Sequence, residues 1–418
     1  MWPLWVAFRR SRRRGVSSSS ALPKKSEVAL PVGRASLSRH GRTGRPSLPC
    51  EAGFYQDVMN ATYNHRDWRW QMRHRIRSVA ELQQRFPGLR SKMAGIAEEA
   101  AHFAMAIPPY YAALIQRADA RDPIFRLAVP QAVELCDPPH LAADPLGEEK
   151  HTPLPGLIRR YGDRALVLAT NTCAMYCRHC DRKRLTGARE TALPPMALER
   201  IASYLRIHPE IHDVIISGGD PLTLSELALE RLLTAIRSVP SVEIIRIGTR
   251  MPVTLPQRIT PALVKLLRRF QPLWINTQFN HPRELTSEAC AALARLADAG
   301  FPLGNQSVLL RGVNDSAKIL EELLRGLVRH RVRPYYLFQC ELVRGVEHFR
   351  VPVRRGLKIM AQLRRRLSSL AIPTYVLDTP TAGKIPLSAA TIVSAATKKI
   401  VLRGPRGQLI AYPEPVGR

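Results

Sequence analysis

Cysteine is scarce in this chain, with seven in 418 residues, yet three fall within one octet, Cys-Ala-Met-Tyr-Cys-Arg-His-Cys, running from Cys173 to Cys180. No fourth cysteine follows at ligand spacing, whereas a closed zinc site or a ferredoxin cluster takes four protein ligands. Three thiolates can hold three irons of a 4Fe–4S cluster and leave the fourth iron open to a substrate or cofactor. Free cysteines are ordinarily packing residues, but so tight a grouping of so rare a residue favours ligation by Cys173, Cys177 and Cys180.

Three other places carry residue types able to do chemistry. Ser217-Gly218-Gly219-Asp220-Pro221 follows a β-branched run; its glycines let the backbone approach a ligand and expose N–H groups, and its acid can accept from an ammonium. Taken alone it is an ordinary strand-end turn. Lys384, preceded by Gly383, has an amine able to form a Schiff base with pyridoxal phosphate, although most lysines are solvated surface groups. Arg160, Tyr161 and Arg164 can clamp a phosphate, because guanidinium forks match its oxygens; in isolation they read as surface charges.

These residues need a scaffold, and the chain supplies a regular one. From Tyr161 onward, short β-branched runs alternate with longer amphipathic ones. Strands are expected at 165–169, 213–217, 244–247, 273–277, 303–309, 332–337 and 374–377, with helices at 195–206, 224–238, 261–270, 286–299, 319–330 and 353–369. Such alternation argues a parallel sheet with helical crossovers. The fold class is α/β: a full or partial (β/α) TIM-type barrel, with its chemistry at the C-terminal strand ends. The cysteine octet follows the first strand, where that rule places it. Upstream, residues 57–145 read as helical: an amphipathic run from Asp67 to Arg77, a capping box in Ser78-Val79-Ala80-Glu81, and a helix at 98–106 stopped by Pro108 and Pro109. A closing hairpin is expected from 400–402 and 409–412. The domain plan is a basic extension at 1–50, a helical region at 51–155, the barrel at 156–345 and a lysine-bearing C-terminal region at 346–418.

Composition narrows the function class. The formal net charge is +29, of which residues 1–50 contribute +10 through eleven Lys/Arg and one acid. The remainder is arginine-rich, spread along helical segments, and not interleaved with aromatics as a single-strand groove is. Nucleic acid is therefore the weaker partner reading. The extension has the Arg/Ser-rich, acid-poor make-up of an organelle transit peptide, and also what an over-extended gene start leaves, so it is set outside the fold. No apolar run reaches eighteen residues, which argues against a membrane span. An odd cysteine count with a tight trio is not a disulfide framework and points to a reducing cytoplasm.

Taken in order, the motifs resemble the lysine 2,3-aminomutase family of radical S-adenosylmethionine (SAM) enzymes, along almost all of the chain from Asp67 to Pro415. The likeness is carried by Asp67-Trp68-Arg69-Trp70-Gln71, the octet with Asp181-Arg182-Lys183-Arg184, and the turn at Ser217. Ile245-Arg246-Ile247-Gly248-Thr249-Arg250, Asn276-Thr277-Gln278-Phe279-Asn280-His281-Pro282, the stretch from Gly304 to Asp315 and Arg333-Pro334-Tyr335-Tyr336 continue it. The resemblance implies a 4Fe–4S cluster on the three cysteines. It implies SAM held by Gln306, Ser217, Gly218, Gly219 and Asp220 with His179 near its adenine, and pyridoxal 5′-phosphate on Lys384 with Arg160, Tyr161 and Arg164 at its phosphate. It further implies Arg182 on the substrate α-carboxylate, and Glu341 with Asp378 on a distal ammonium. A small amino acid substrate, an electron donor such as flavodoxin or ferredoxin, a homo-oligomer and a cytoplasmic setting go with the family.

Two acids at a buried mouth are costly without a cation, which favours a substrate with a positive side chain. Lysine giving β-lysine is the leading reading, with arginine, ornithine or a lysine destined for protein modification as alternatives and a radical SAM RNA-modifying enzyme as the competitor from another class. Glu341 stands where lysine mutases of the family carry Asp, and the 379–383 loop is one residue shorter and poorer in glycine. Position 316 is Ser and the chain lacks the family's cysteine-rich tail, so no zinc is expected.

Overall fold

Seven parallel strands are laid down in chain order, each returned by a helix, in the computed structural model of the chain. It describes residues 66–415 apart from 93–95, 97, 99, 101 and 188. The basic extension and the start of the helical region fall outside the described residues. The parallel strands are β2 (Arg164–Thr170), β3 (Asp213–Gly218), β4 (Ile244–Gly248), β5 (Leu273–Thr277), β6 (Leu303–Leu309), β7 (Val332–Gln339) and β8 (Thr374–Thr379). Antiparallel β1 (Leu157–Ile158) and β9 (Gly383–Pro386) flank them, so the sheet runs β1 to β9 in sequence order without closing on itself. This is a partial barrel, open between its first and last strands.

Side chains alternate across a strand, and that period sorts the residues by role. Val167, Val214, Ile216, Ile245 and Ile247 are fully buried, as strand faces packed under crossover helices must be. Their neighbours Leu166, Ile215, Ser217, Arg246, Gly248, Asn276 and Gln306 line a cavity instead. A hydroxyl, a guanidinium and two amides among seven such positions are a poor core but a good binding wall.

Caps set the helix starts. Ser225, Thr260, Thr286 and Ser316 each accept from the backbone N–H three residues on, at 3.1–3.3 Å. The helices therefore begin at Glu226, Pro261, Ser287 and Ala317, which moves the expected 224–238 and 319–330 starts by two residues. Each such cap stabilises its helix by about 1 kcal/mol.

The N-terminal layer departs further from expectation. The run from Asp67 is helical only over Trp68–Arg73, because Ile76 leaves to pair with Ile107 in a two-bond antiparallel bridge at 2.8 and 3.0 Å. The capping box at Ser78 and Glu81 forms with both reciprocal bonds. Residues 96, 98, 100 and 102 are helical, but the chain has left the helix by Phe103. The reason is tertiary: the Phe103 and Ala104 carbonyls accept from Arg178 Nη1 at 3.1 and 3.2 Å. Arg178 also grips Glu134 through Nε and Nη2 at 2.9–3.1 Å, and neither side chain has any exposure.

Arg178 sits between two of the octet's cysteines, so this buried pair ties the cysteine loop to the helical layer. Arg178→Ala should cost up to roughly 3–5 kcal/mol, since it strips a fully buried carboxylate of its bidentate partner and leaves that charge to Lys183 at 3.6 Å. Urea denaturation of the variant against the parent measures it; a change below about 1 kcal/mol would contradict the pairing.

At the other end, the expected hairpin is present as β11 (Lys399–Arg403) and β12 (Leu409–Pro413), joined by a third strand, β10 (Ile392–Ala395). Lys384, beyond the last of the expected parallel strands, lies in a further strand, β9, opposite Asp378 of β8 in the register. The turn needs only Pro380, Thr381 and Ala382, and Gly383 takes the left-handed φ of 66° that lets β9 begin at once. Among the described residues no helix is long and apolar enough to cross a membrane.

Candidate active site

A cavity of about 540 Å³ opens at the C-terminal ends of the parallel strands, within the size range of small-molecule sites. Every residue singled out in the sequence lines it. The octet enters from the end of β2, the glycine turn from β3, Gln306 from β6, Glu341 from just past β7, Asp378 and Lys384 from the β8–β9 hairpin, and Arg160, Tyr161 and Arg164 from the approach to β2.

Cys173, Cys177 and Cys180 are free thiols in part-buried positions. Burial pushes the Cys173 thiol well up and Cys180 to about 12, with the neighbouring cysteines adding to both. Thiols so placed give up their protons when a cationic metal group takes their place as partner. Among the described residues no three His, Cys, Asp or Glu side chains converge on a single ion.

The glycine turn works differently from its sequence reading. A Cβ on Gly218 would lie 2.3 Å from the Thr170 carbonyl oxygen, and one on Gly219 2.3 Å from that of Thr172. The backbone the glycines approach is the root of the cysteine loop, to which Gly219 N–H and Asp220 N–H bond at 2.6 and 2.7 Å. Asp220 is likewise committed within the protein: it accepts from the Thr249 hydroxyl at 2.7 and 2.9 Å, from Arg250 N–H at 2.7 Å and from Leu222 N–H at 3.1 Å. It shapes the turn, and its oxygens are already engaged where an ammonium was expected. Gln306 accepts from the Tyr335 hydroxyl at 2.7 Å. His179 is buried, 3.4 Å from the Asn280 amide, with its ring edge-on to Phe349.

Charges organise the far side of the cavity. Lys384 Nζ donates to Asp378 at 2.7 Å, and Arg160 donates to the other Asp378 oxygen at 3.1 Å and to the Thr379 carbonyl at 2.6 Å. Burial opposes the Lys384 charge, but Asp378 and Tyr161 more than offset it and hold the ammonium above its usual value. The Tyr161 hydroxyl is buried without a partner, with Arg164, Lys384 and Arg160 within 5.0–5.8 Å of its ring. An unmatched hydroxyl among three cations, one of them a primary amine, suits an anionic aldehyde cofactor such as pyridoxal phosphate. Arg164 is partly drawn aside, since Asp163 takes its Nε and Nη2 at 2.9 Å.

Arg182 is held by Glu148 through Nε and Nη2 at 2.6–3.2 Å, which leaves Nη1 for a ligand. Glu148 lies in the segment read as helical and lines the cavity; its 34-residue distance from Arg182 hid it. Arg250 was noted only as part of a motif, yet its Nη1 donates to Cys177 Sγ at 2.7 Å.

Glu341 makes no hydrogen bond or ion pair with any described residue. Burial, then Asp378, then Asp181 drive its pKa well above the usual carboxylate value of 4.5. A raised carboxyl contributes stability that is complete below the unfolded value and is lost as pH climbs through the folded one. The ligand-free enzyme should therefore lose melting temperature as pH rises above the ordinary carboxylate range, and Glu341→Gln should flatten that slope. Scanning fluorimetry from acid to neutral pH checks it; parallel slopes in the two proteins would count against a proton-holding Glu341.

Comparison with known proteins sets these residues in a family. Residues 167–324 match the model of the radical SAM superfamily, and residues 360–417 match that of lysine-2,3-aminomutase. The chain is 46% identical over 363 residues to L-lysine 2,3-aminomutase of Clostridium subterminale, which covers 87% of each chain. The chain belongs to the lysine 2,3-aminomutase family. It is 41% identical to L-lysine 2,3-aminomutase of Bacillus subtilis, over 87% of this chain and 77% of that one. It is also 41% identical to glutamate 2,3-aminomutase of Clostridioides difficile, over 84% of each. As a radical SAM family member it is an isomerase that works with a 4Fe–4S cluster and SAM, and the family contains members named for substrates of opposite side-chain charge.

Proposed function

We propose that this protein is a pyridoxal-phosphate-dependent 2,3-aminomutase acting on L-lysine and forming β-lysine. The observation that carries the substrate is Glu341: a carboxyl in the cavity wall beside Asp378, with no hydrogen bond or ion pair to any described residue, gives up its proton most readily when a ligand brings a cation to it. A glutamate side chain would add a third carboxylate there, a repulsion worth several kcal/mol at low dielectric.

When bound, the cluster with SAM supplies a carbon-centred radical, and pyridoxal phosphate supplies the carrier for the migrating amino group. The chain's own share is placement. Cys173, Cys177 and Cys180 would each hold one iron and leave a fourth for SAM, which the Ser217 to Asp220 turn, Gln306 and His179 would help hold. Arg160, the Tyr161 hydroxyl and Arg164 would hold the phosphate, and Lys384 would offer its amine for the aldehyde. Arg182, braced by Glu148, presents Nη1 to the α-carboxylate. Glu341 and Asp378 receive the distal ammonium. Fixing both ends of the substrate leaves its central carbons facing the radical source, and the buried walls keep water away from it.

The test is turnover after anaerobic reconstitution with iron, sulfide, SAM, pyridoxal phosphate and reductant. Lysine, ornithine, arginine and glutamate are offered separately and β-isomers are read by mass spectrometry. Lysine is expected to turn over fastest. Isomerisation of glutamate with none of the three cationic amino acids would refute the reading.

A further inference from the structure

Arg250 donates from its side chain to the sulfur of Cys177, a contact that neither the family roles nor the placement scheme above uses. It follows β4 and is buried, with its side chain 9% exposed beside a Glu284 that has no exposure. Each nitrogen of the guanidinium has its own partner: Nη1 donates to Cys177 Sγ at 2.7 Å, Nη2 to Glu284 Oε1 at 2.7 Å, and Nε to the Gln278 carbonyl at 3.0 Å. Glu284 is itself immobilised. Its Oε2 accepts from the Asn280 and His281 N–H groups at 2.6 and 3.0 Å, and its Oε1 also accepts from the fully buried Tyr111 hydroxyl at 2.7 Å. The Arg250 backbone N–H meanwhile donates to Asp220 at 2.7 Å. One residue thus joins the SAM turn to a cluster sulfur.

We propose that Arg250 is a positioning and redox-tuning residue, whose guanidinium, aligned by Glu284 and Tyr111, hydrogen-bonds the Cys177 sulfur and raises the reduction potential of a cluster held by the three cysteines. The physical reason is charge. Reduction adds one electron to the cluster, and a buried N–H donor bearing positive charge stabilises the more electron-rich state of the sulfur and iron. The low dielectric around Arg250 strengthens the effect, and the fixed Glu284 offsets part of it. The electron comes from an external one-electron donor; Arg250 neither gives nor takes one. This inference rests on Cys177 being a cluster ligand.

The measurement is a dithionite titration of the reconstituted full-length enzyme with redox mediators, following the reduced cluster by electron paramagnetic resonance, with iron content determined on the same samples. At a fixed solution potential the reduced-to-oxidised ratio in Arg250→Gln should fall at least tenfold, equivalent to about 59 mV for a one-electron couple. Arg250→Lys, which keeps charge but loses the fork, should lie between. Tyr111→Phe, which removes one donor from Glu284 without touching the cysteine loop, should shift the ratio the same way by a smaller factor. Unchanged potentials in Arg250→Gln and Tyr111→Phe, with full iron content, would overturn the assignment. Should Arg250→Gln lose its iron, Arg250→Lys and Tyr111→Phe decide: a potential equal to the parent's in both would also overturn it. A parent protein that binds no iron at all would instead remove the ligand assignment of Cys177.

Discussion

Lys384→Ala should abolish turnover, by on the order of 10⁴-fold or more, on the proposed role of Lys384 as the group that binds pyridoxal phosphate covalently. The prediction stands on placement. Lys384 lies in β9 directly across from Asp378, its Nζ is 2.7 Å from that carboxylate, and the Tyr161 and Phe338 rings lie 5.5 and 5.7 Å away. Loss of activity alone would not separate a chemical role from a structural one, because the alanine also strips Asp378 of a partner. Lys384→Arg resolves this. It keeps a cation beside Asp378, and so should hold melting temperature near the parent's, but a guanidinium does not form the imine. Both variants should lack the visible absorbance that pyridoxal phosphate gives the parent, while keeping their iron. Full activity in either variant would remove Lys384 from the chemistry.

Glu341→Gln should lower kcat/KM for lysine by about 100- to 1,000-fold, since withdrawing one partner of a buried charge pair costs roughly 3–5 kcal/mol and Asp378 remains to recover part of it. The loss should fall on cationic substrates alone. Glu341→Asp is the finer probe. It withdraws the carboxylate by one methylene and lengthens the space for the substrate side chain. One methylene of fit is worth about 1–3 kcal/mol, so the lysine-to-ornithine ratio of kcat/KM should rise by about tenfold or more. A ratio that stays constant would place the distal ammonium away from residue 341.

Much of the barrel was legible because its signals are local. Apolar alternation placed the strands within two residues, with 273–277 and 303–309 matching the observed bounds, since the hydrophobic face of a strand is written every second residue. The same holds for the capping box at Ser78 and Glu81, which needs only four consecutive residues. Errors gathered where a distant contact overrode local preference. The helix expected at 98–106 ends early because the Phe103 and Ala104 carbonyls are taken by Arg178, some seventy residues on. β9 went unseen because a four-residue strand around Lys384 has almost no pattern of its own and exists by pairing with β8.

The site divides along the same line. Cys173, Cys177 and Cys180 are readable in one dimension, because three ligands on one short loop encode their own geometry. So is the order of the strand ends that bring Gln306, Glu341, Asp378 and Lys384 to one cavity, since sequential parallel strands place every C-terminal end on the same side. Side-chain partnerships are not readable that way. That Gly218 and Gly219 make room for the cysteine loop, that Glu148 braces Arg182, and that Arg250 reaches Cys177 while Glu341 is left without a partner among the described residues are facts of packing. A residue's type states which bonds it can make; only the folded chain decides which of them are already made and which stay open for a substrate.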